Sequence, residues 1–537
     1  MSSKSKHSPK QLLFYRFGSS DPLFSELEPT RQVIYLRRYF SELHAAVVIE
    51  EPNYFDRDYL AEFSAFYSVS AAGYPNICRR LHFFADSSVN RDLIVRAACG
   101  DGNAVKTLEA SYLGFIVVRP IPAAPLGRTV VCWYEDKDRE LSTPRITQPS
   151  RKYDVNVAGF QLTVTGLAWQ EQDTGVGACA TIALWTMLHS SAFDDHHAIP
   201  TTADITRAAH KSASMGARMF PSAGLRHDQI CEAIKEQNLS PVIFEGDIKN
   251  RHGMTVGFSR ERFASTCAAL VRSGYPVLLS GAFLEKDPTL TGHAMCAVGF
   301  RSCSPGIVKE GEVGLQESEI KYLYIHDDNI GPSVRFAISE LKVRGLPGGD
   351  KVAVISPSAP PPLDPSHALP DSTEDYPAFR PTSLTVAVHN DLRISPDKLH
   401  ETGMVTAKFF SSALTVLAKE AKTGAVGVTV STRFTKLADY VNRELQAILS
   451  TNPSLLGKAR LQLWETVPPM SLHVGLVRLG LGDGDGTPLL DILYDTTDTD
   501  RNNPVFAYLP YHAWVKSLVP LIAKASNSDF GVCVEAF

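Results

Sequence analysis

The 537-residue chain lacks the marks of a membrane protein, of a disulfide-stapled secreted domain and of a structural zinc module. No run of about 18 consecutive apolar residues occurs, so no membrane-spanning helix is expected. The start, Met-Ser-Ser-Lys-Ser-Lys-His-Ser-Pro-Lys, is charged but has no apolar segment of the kind a secretory signal needs. Nine cysteines, odd in number and without a CxxC pair, do not make a disulfide framework or a zinc pattern. Most are expected to be buried free thiols. Positive charge is not in excess either. With 53 Lys and Arg against 58 Asp and Glu, a formal net charge of -5 argues against general nucleic-acid binding. What remains is a globular chain, expected to be soluble and cytoplasmic, with enough residues for about three domains.

No repeat relates the parts of the chain to one another. Residues 1–20 read as a disordered N-terminus and 21–149 as a mixed α/β domain. In the latter, Leu60, Phe63, Phe66 and Tyr67 put one apolar face on a helix over Asp56–Tyr67, and Leu81–Phe84, Leu113–Val118 and Thr129–Trp133 read as strands. This domain is expected to support the next one or to restrict access to it. Residues 150–355 carry the informative patterns. An apolar helix begins at Cys179, and Thr201-x-x-Asp204 is a capping-box start for a helix through Ala209. Helices are expected over Leu225–Gln237 and Ser259–Ser273, then strands over Pro276–Phe283, His293–Phe300 and Tyr322–His326. Helices first and strands afterwards predict an α+β fold. Residues 356–382 read as a Pro-rich linker. Residues 383–537 read as a C-terminal α+β domain, with a helix around Phe434–Ser450, strands at Ser471–Leu479 and Leu489–Tyr494, and a turn at Gly482–Gly486.

Chemistry is suggested first by Gln170-Glu-Gln-Asp-Thr-Gly-Val-Gly-Ala-Cys179, followed at once by an apolar run. Aligned peptide dipoles and unpaired N–H groups at a helix start favour a thiolate over a thiol, the reactive form of a cysteine nucleophile. Such a nucleophile needs a base, a group orienting that base, and donors for the oxyanion. His293, after a glycine and opening an apolar strand, is the candidate base. The strand Tyr322–His326 ends in Asp327-Asp328. If it lies antiparallel to the His293 strand, one of these carboxylates reaches the imidazole, Asp327 being the first choice. The backbone N–H of Cys179 and a glutamine side chain, Gln172 before Gln170, are the candidate oxyanion donors.

Together, Gln before Gly-Ala-Cys-Ala, Ser-Gly-Tyr-Pro-Val-Leu-Leu, Gly-His-Ala-x-x-x-Val-Gly-Phe and Asp-x-x-x-Gly resemble the papain-like cysteine peptidase superfamily. Within it they are most similar to the bacteriocin-processing, double-glycine leader peptidases and their soluble relatives. The resemblance covers the middle domain only and implies a papain-like α+β fold, a helical part packed on an antiparallel sheet. It further implies a site of Gln172, Cys179, His293 and Asp327, with no cofactor or metal. In the family the glutamine sits six residues before the cysteine, where this chain has Asp173; Cys-Gly is here Cys-Ala, and Asp-Pro is Asp-Asp. The transmembrane transporter part that accompanies many leader peptidases is absent.

The function expected is hydrolysis of a peptide or isopeptide bond in a protein or peptide substrate, through a thioester on Cys179. Alternatives are an acyl or peptidyl transferase, an inactive papain-like binding module, and a protease effector of a bacterial defence or toxin system held silent by its flanking domains or a regulatory protein partner. Read blandly, Cys179 is a buried small hydrophobe, His293 a structural histidine, and one of Asp327 and Asp328 a turn acid. A metal held by His293, His326, Asp327 and Asp328 is a further alternative. Asp194-Asp-His-His197 reads as a polar surface loop, Gly482–Gly486 as a hairpin turn, and the apolar residues around Trp185 as a core helix.

Overall fold

The computed structural model describes residues 11–537 except 72, 137–140, 142, 148, 174, 195–197, 213–218, 223, 285–291, 304–306, 316–319, 344–350, 359–372, 374, 423, 425–426, 467–471, 485, 498–503 and 526–530. The fold is mixed α+β with mostly antiparallel sheets.

The N-terminal sheet runs in chain order: β1 (Leu13–Arg16), β2 (Val47–Tyr54), β3 (Cys78–Phe84), β4 (Tyr112–Val118) and β5 (Leu126–Val131). Helix α1 (Arg31–Glu42) starts at Thr30, whose hydroxyl accepts the Val33 N–H. It buries Val33, Leu36 and Phe40 on one face, and the Phe40 ring stacks on Phe83 with centroids 3.6 Å apart. Helix α2 (Arg57–Ala65), capped by Asp56, occupies most of the helix expected at Asp56–Tyr67. The expected disorder of residues 1–20 fails at Leu13–Arg16. This short segment gains order by pairing with β2, a ladder that local composition does not report.

In the middle of the chain, α3 (Cys179–Leu188) is apolar all round, and nine of its ten residues are buried. Burial of each large side chain, Ile182, Leu184, Trp185, Met187 and Leu188, contributes about 2 kcal/mol. Helices α4 (Thr202–Ala209), with the expected Thr201/Asp204 capping box, α5 (His227–Lys235) and α6 (Arg260–Arg272) follow. The sheet is built from β6 (Leu239–Glu245), β7 (Val277–Phe283), β8 (Gly292–Ser302), β9 (Ile320–Asp327), β10 (Gly331–Lys342), β11 (Lys351–Pro357) and β12 (Phe379–His389). Its order is β7-β8-β9-β10-β11-β12-β6, and β7 also pairs with β12, so the sheet closes on itself. Helix α3 packs against β8.

The boundary expected after residue 382 falls inside β12. That strand belongs to the middle sheet, where residues 383–389 pair with β6 and residues 379–385 with β7. Much of the stretch read as a linker, residues 359–372, lies outside the described residues. The C-terminal sheet holds β13 (Val428–Lys436), β14 (His473–Leu481), β15 (Pro488–Asp495) and β16 (Val505–Pro510), flanked by α7 (Pro396–Glu420) and α8 (Ala513–Ala525). Phe434, expected at a helix start, lies in β13, and the helical segment begins only at Leu437. The run Val-Thr-Val-Ser-Thr-Arg-Phe-Thr before it is β-branched and fits a buried strand. Gly482, Asp483, Gly484 and Gly486 lie in the hairpin between β14 and β15; residue 485 is outside the described residues. One continuous core of buried side chains extends from Leu23 to Ile522, joining all three parts of the chain. Among the described residues no helix is long and apolar enough to cross a membrane.

Candidate active site

The loop that delivers Cys179 is organised by Asp173. One carboxylate oxygen accepts the backbone N–H groups of Gly175 (2.7 Å), Val176 (2.6 Å) and Gly177 (3.1 Å). The other lies 3.4 Å from the Arg119 guanidinium, which comes from the N-terminal part. Arg119 also pairs with Glu62 at 3.0 Å and donates to the carbonyls of Ala124 and Glu171. Glu62 in turn accepts from Gln170 (2.6 Å) and Thr202 (2.7 Å). The side chains of Arg119, Glu62 and Asp173 are each 1% exposed. A Cβ on Gly175 would fall 2.7 Å from the Phe66 ring, so the loop passes that ring only as glycine. Gln170 is therefore tied into a buried ionic network and is not an oxyanion donor.

Asp173→Ala would leave three N–H groups without an acceptor and Arg119 with one carboxylate fewer, an expected loss of about 3 kcal/mol. Urea unfolding of the variant beside the parent protein measures it; an unchanged midpoint would show that the loop holds itself.

His293 stands near the start of β8, opposite Gly281 of β7, and Asp327 ends β9. The next strand pair brings them together as the sequence predicts, because β8 and β9 are antiparallel neighbours. His293 Nε2 lies 3.0 Å from an Asp327 oxygen. That oxygen also accepts the Asn329 N–H at 3.0 Å, and the second accepts the Tyr376 hydroxyl at 2.6 Å. The Asp327 carbonyl accepts the indole N–H of Trp169 at 2.9 Å. The Cys179 side chain adds to the proton affinity of this ring, so the sulfur stands beside it; with Nε2 directed to Asp327, Nδ1 is the nitrogen left for that side. The ring lies against Phe283, with centroids 5.1 Å apart.

Burial disfavours the imidazolium, but the carboxylates of Asp328 and Asp327 and the hydrogen bonds to Asp327 and Cys179 outweigh it. The imidazole is raised well above its ordinary value. Burial acts against the Asp327 carboxylate as well, yet the charge and hydrogen bond of His293, with those of Tyr376 and Asn329, hold it below the usual range. Cys179 is partly exposed, whereas Asp327 is fully buried.

Gln172 donates to the Asn329 side chain at 2.9 Å, and that side chain lies 3.4 Å from His293 Nε2. Gln172 thus stands one residue from the His293 ring. Asp328 approaches the same nitrogen at 3.4 Å. His293, Asp327 and Asp328 place ligand atoms within 4.8 Å of one another, the composition of a metal site. His326 does not join them: buried, it faces the Leu167 carbonyl and the Ser333 N–H, each at 3.0 Å. The four-ligand alternative therefore loses a ligand, and the Asp327 oxygens face N–H and O–H donors.

The arrangement brings Cys179, His293 and Asp327 together, keeps Gln172 at its edge, and removes Gln170 and His326. Asn329, Tyr376, Trp169, Asp173, Arg119 and Glu62 were not among the expected residues. Asp173 alone had a signal, standing six residues before Cys179. Residues 195–197 of the Asp194–His197 cluster lie outside the described residues; Asp194 pairs with Arg151. Comparison of the sequence with protein-family models and with curated proteins finds no match.

Proposed function

We propose that the chain is a papain-like cysteine peptidase that hydrolyses a peptide or isopeptide bond. One observation carries this reading: a single imidazole, His293, is hydrogen-bonded to a buried aspartate at a strand end and has beside it a cysteine at a helix start that adds to its proton affinity. In this scheme the Cys179 sulfur attacks the substrate carbonyl as the thiolate partner of the His293 imidazolium, the ring already holding the proton. The C–S bond forms, the C–N bond breaks, and His293 delivers the proton to the leaving amine. Water then attacks the thioester, giving its proton to His293 and freeing the sulfur. Asp327 holds the ring and stabilises its charged form. For the oxyanion, Cys179 is the first residue of α3, so its N–H has no acceptor within the helix. Gln172 spends one amide hydrogen on Asn329 and keeps the other.

The test is a peptidyl vinyl sulfone at neutral pH, followed by mapping of the modified residue. Cys179 is expected to react ahead of Cys99, an exposed cysteine that lacks such a partner set. Equal labelling of the two, or none at Cys179, would leave the binding-module alternative standing. Adding a primary amine and analysing the products separates hydrolysis from transfer.

A further inference from the structure

Asp328 has no task in the scheme above, although it is the second carboxylate at His293. Its side chain is 2% exposed. The ring N–H that lies 3.4 Å from one of its oxygens is directed to Asp327, and among the described residues no other donor is aimed at either oxygen. Its backbone carbonyl is held by Gln32 of α1 at 3.2 Å, which fixes the turn between β9 and β10. The groups facing this carboxylate are His293 from β8 and Asp327 from β9, with Tyr376 from the segment before β12. Cys179 lies beyond the ring on α3, and Arg31 of α1 sits over the Tyr376 ring at 5.1 Å.

Resting on the peptidase reading, we propose that Asp328 is a positioning residue that favours the protonated form of His293 in the thioester intermediate, the ring regaining a proton from solvent once the amine has left, and so delays hydrolysis. Attack by water requires a neutral imidazole to take the proton. Two carboxylates beside one ring favour its charged form more than one does. The delay also depends on pH. Burial pushes Asp328 up to about 7, the attraction of His293 offsetting part of this and the charge of Asp327 adding to it. Below that pH the carboxyl is neutral and Asp327 alone acts on the ring. Above it both carboxylates hold the proton, and the pH at which the ring becomes a base moves upward. A thioester that persists at neutral pH gives an amine time to compete with water.

The experiment uses the full chain and p-nitrophenyl acetate, which passes its acetyl group to the Cys179 sulfur as p-nitrophenolate leaves. Stopped-flow absorbance separates the burst of acylation from the slower hydrolysis, which is followed from pH 5.5 to 9.5. The parent protein is expected to show a burst and a hydrolysis limb above the pH of an ordinary imidazole. In Asp328→Asn the burst should persist and the limb should move down, with hydrolysis at pH 7 faster about tenfold for each pH unit of displacement. An unmoved limb overturns the proposal, as does loss of the burst in a folded variant, which would make Asp328 the orienting carboxylate. If the variant does not fold, the parent limb decides: a position at an ordinary imidazole's pH overturns the proposal and a displaced one supports it. A parent protein with no burst overturns the peptidase reading itself.

Discussion

Cys179→Ala is expected to lower peptide-bond cleavage by about 10⁴-fold or more, because the variant has no sulfur at the position where the thioester would form. The fold should survive. Alanine keeps the Cβ and is a better helix former, and Cys179 is partly exposed at the first turn of α3, so the stability change is expected within about 1 kcal/mol. Cleavage of a peptide library by the two proteins, with circular dichroism of each, checks both halves. Cleavage by the variant at the parent rate would assign the activity to another site or to a contaminant. A variant that unfolds would mean that Cys179 is a packing residue.

Asp327→Asn should be almost as damaging, by about 10³ to 10⁴-fold in kcat. Asp327 accepts three hydrogen bonds, from His293, from the Asn329 N–H and from the Tyr376 hydroxyl. An amide in its place has one oxygen for these three donors, and its NH₂ must face one of them. If it faces His293, the ring turns its proton toward Cys179 and can no longer accept one from the sulfur. Loss in kcat with little change in KM is the expected signature. A variant with kcat within threefold of the parent would show that Asp328 carries the orienting role. Opposite responses of the two neighbours, loss at 327 and faster hydrolysis at 328, distinguish the two carboxylates.

The three principal members of this site were legible because each ends a strongly local pattern. A glycine-rich loop followed by an apolar run marks the Cys179 helix, and two apolar strands lead from His293 and into Asp327. An antiparallel hairpin-like pairing then needs no long-range information. The supports were not legible, for a physical reason. Arg119 and Glu62 lie in a different part of the chain and reach Asp173 only through the fold, and a buried ion pair leaves no periodicity behind. Tyr376 follows a stretch rich in proline, whose composition reports backbone stiffness and says nothing of what the next aromatic ring touches. The same stretch hid β12. Phe379–His389 alternates and is apolar enough to be a strand, but its neighbourhood reads as linker and domain start, and its pairing with β6 and β7 spans roughly a hundred residues or more that local composition does not connect. The helix expected around Phe434–Ser450 begins only at Leu437, because the β-branched run before it extends as a strand through Lys436.

Because β12 enters the middle sheet from beyond the Pro-rich stretch, the region around Cys179 and His293 is not a portable module. A recombination event or an expression boundary placed near residue 360 would remove the strand that lies between β6 and β7. Each would then present a bare edge of N–H and C=O groups, which invites pairing with another copy and aggregation. Inheritance of this site as one piece should therefore extend at least to His389, and lineages that exchange C-terminal parts should do so after that residue.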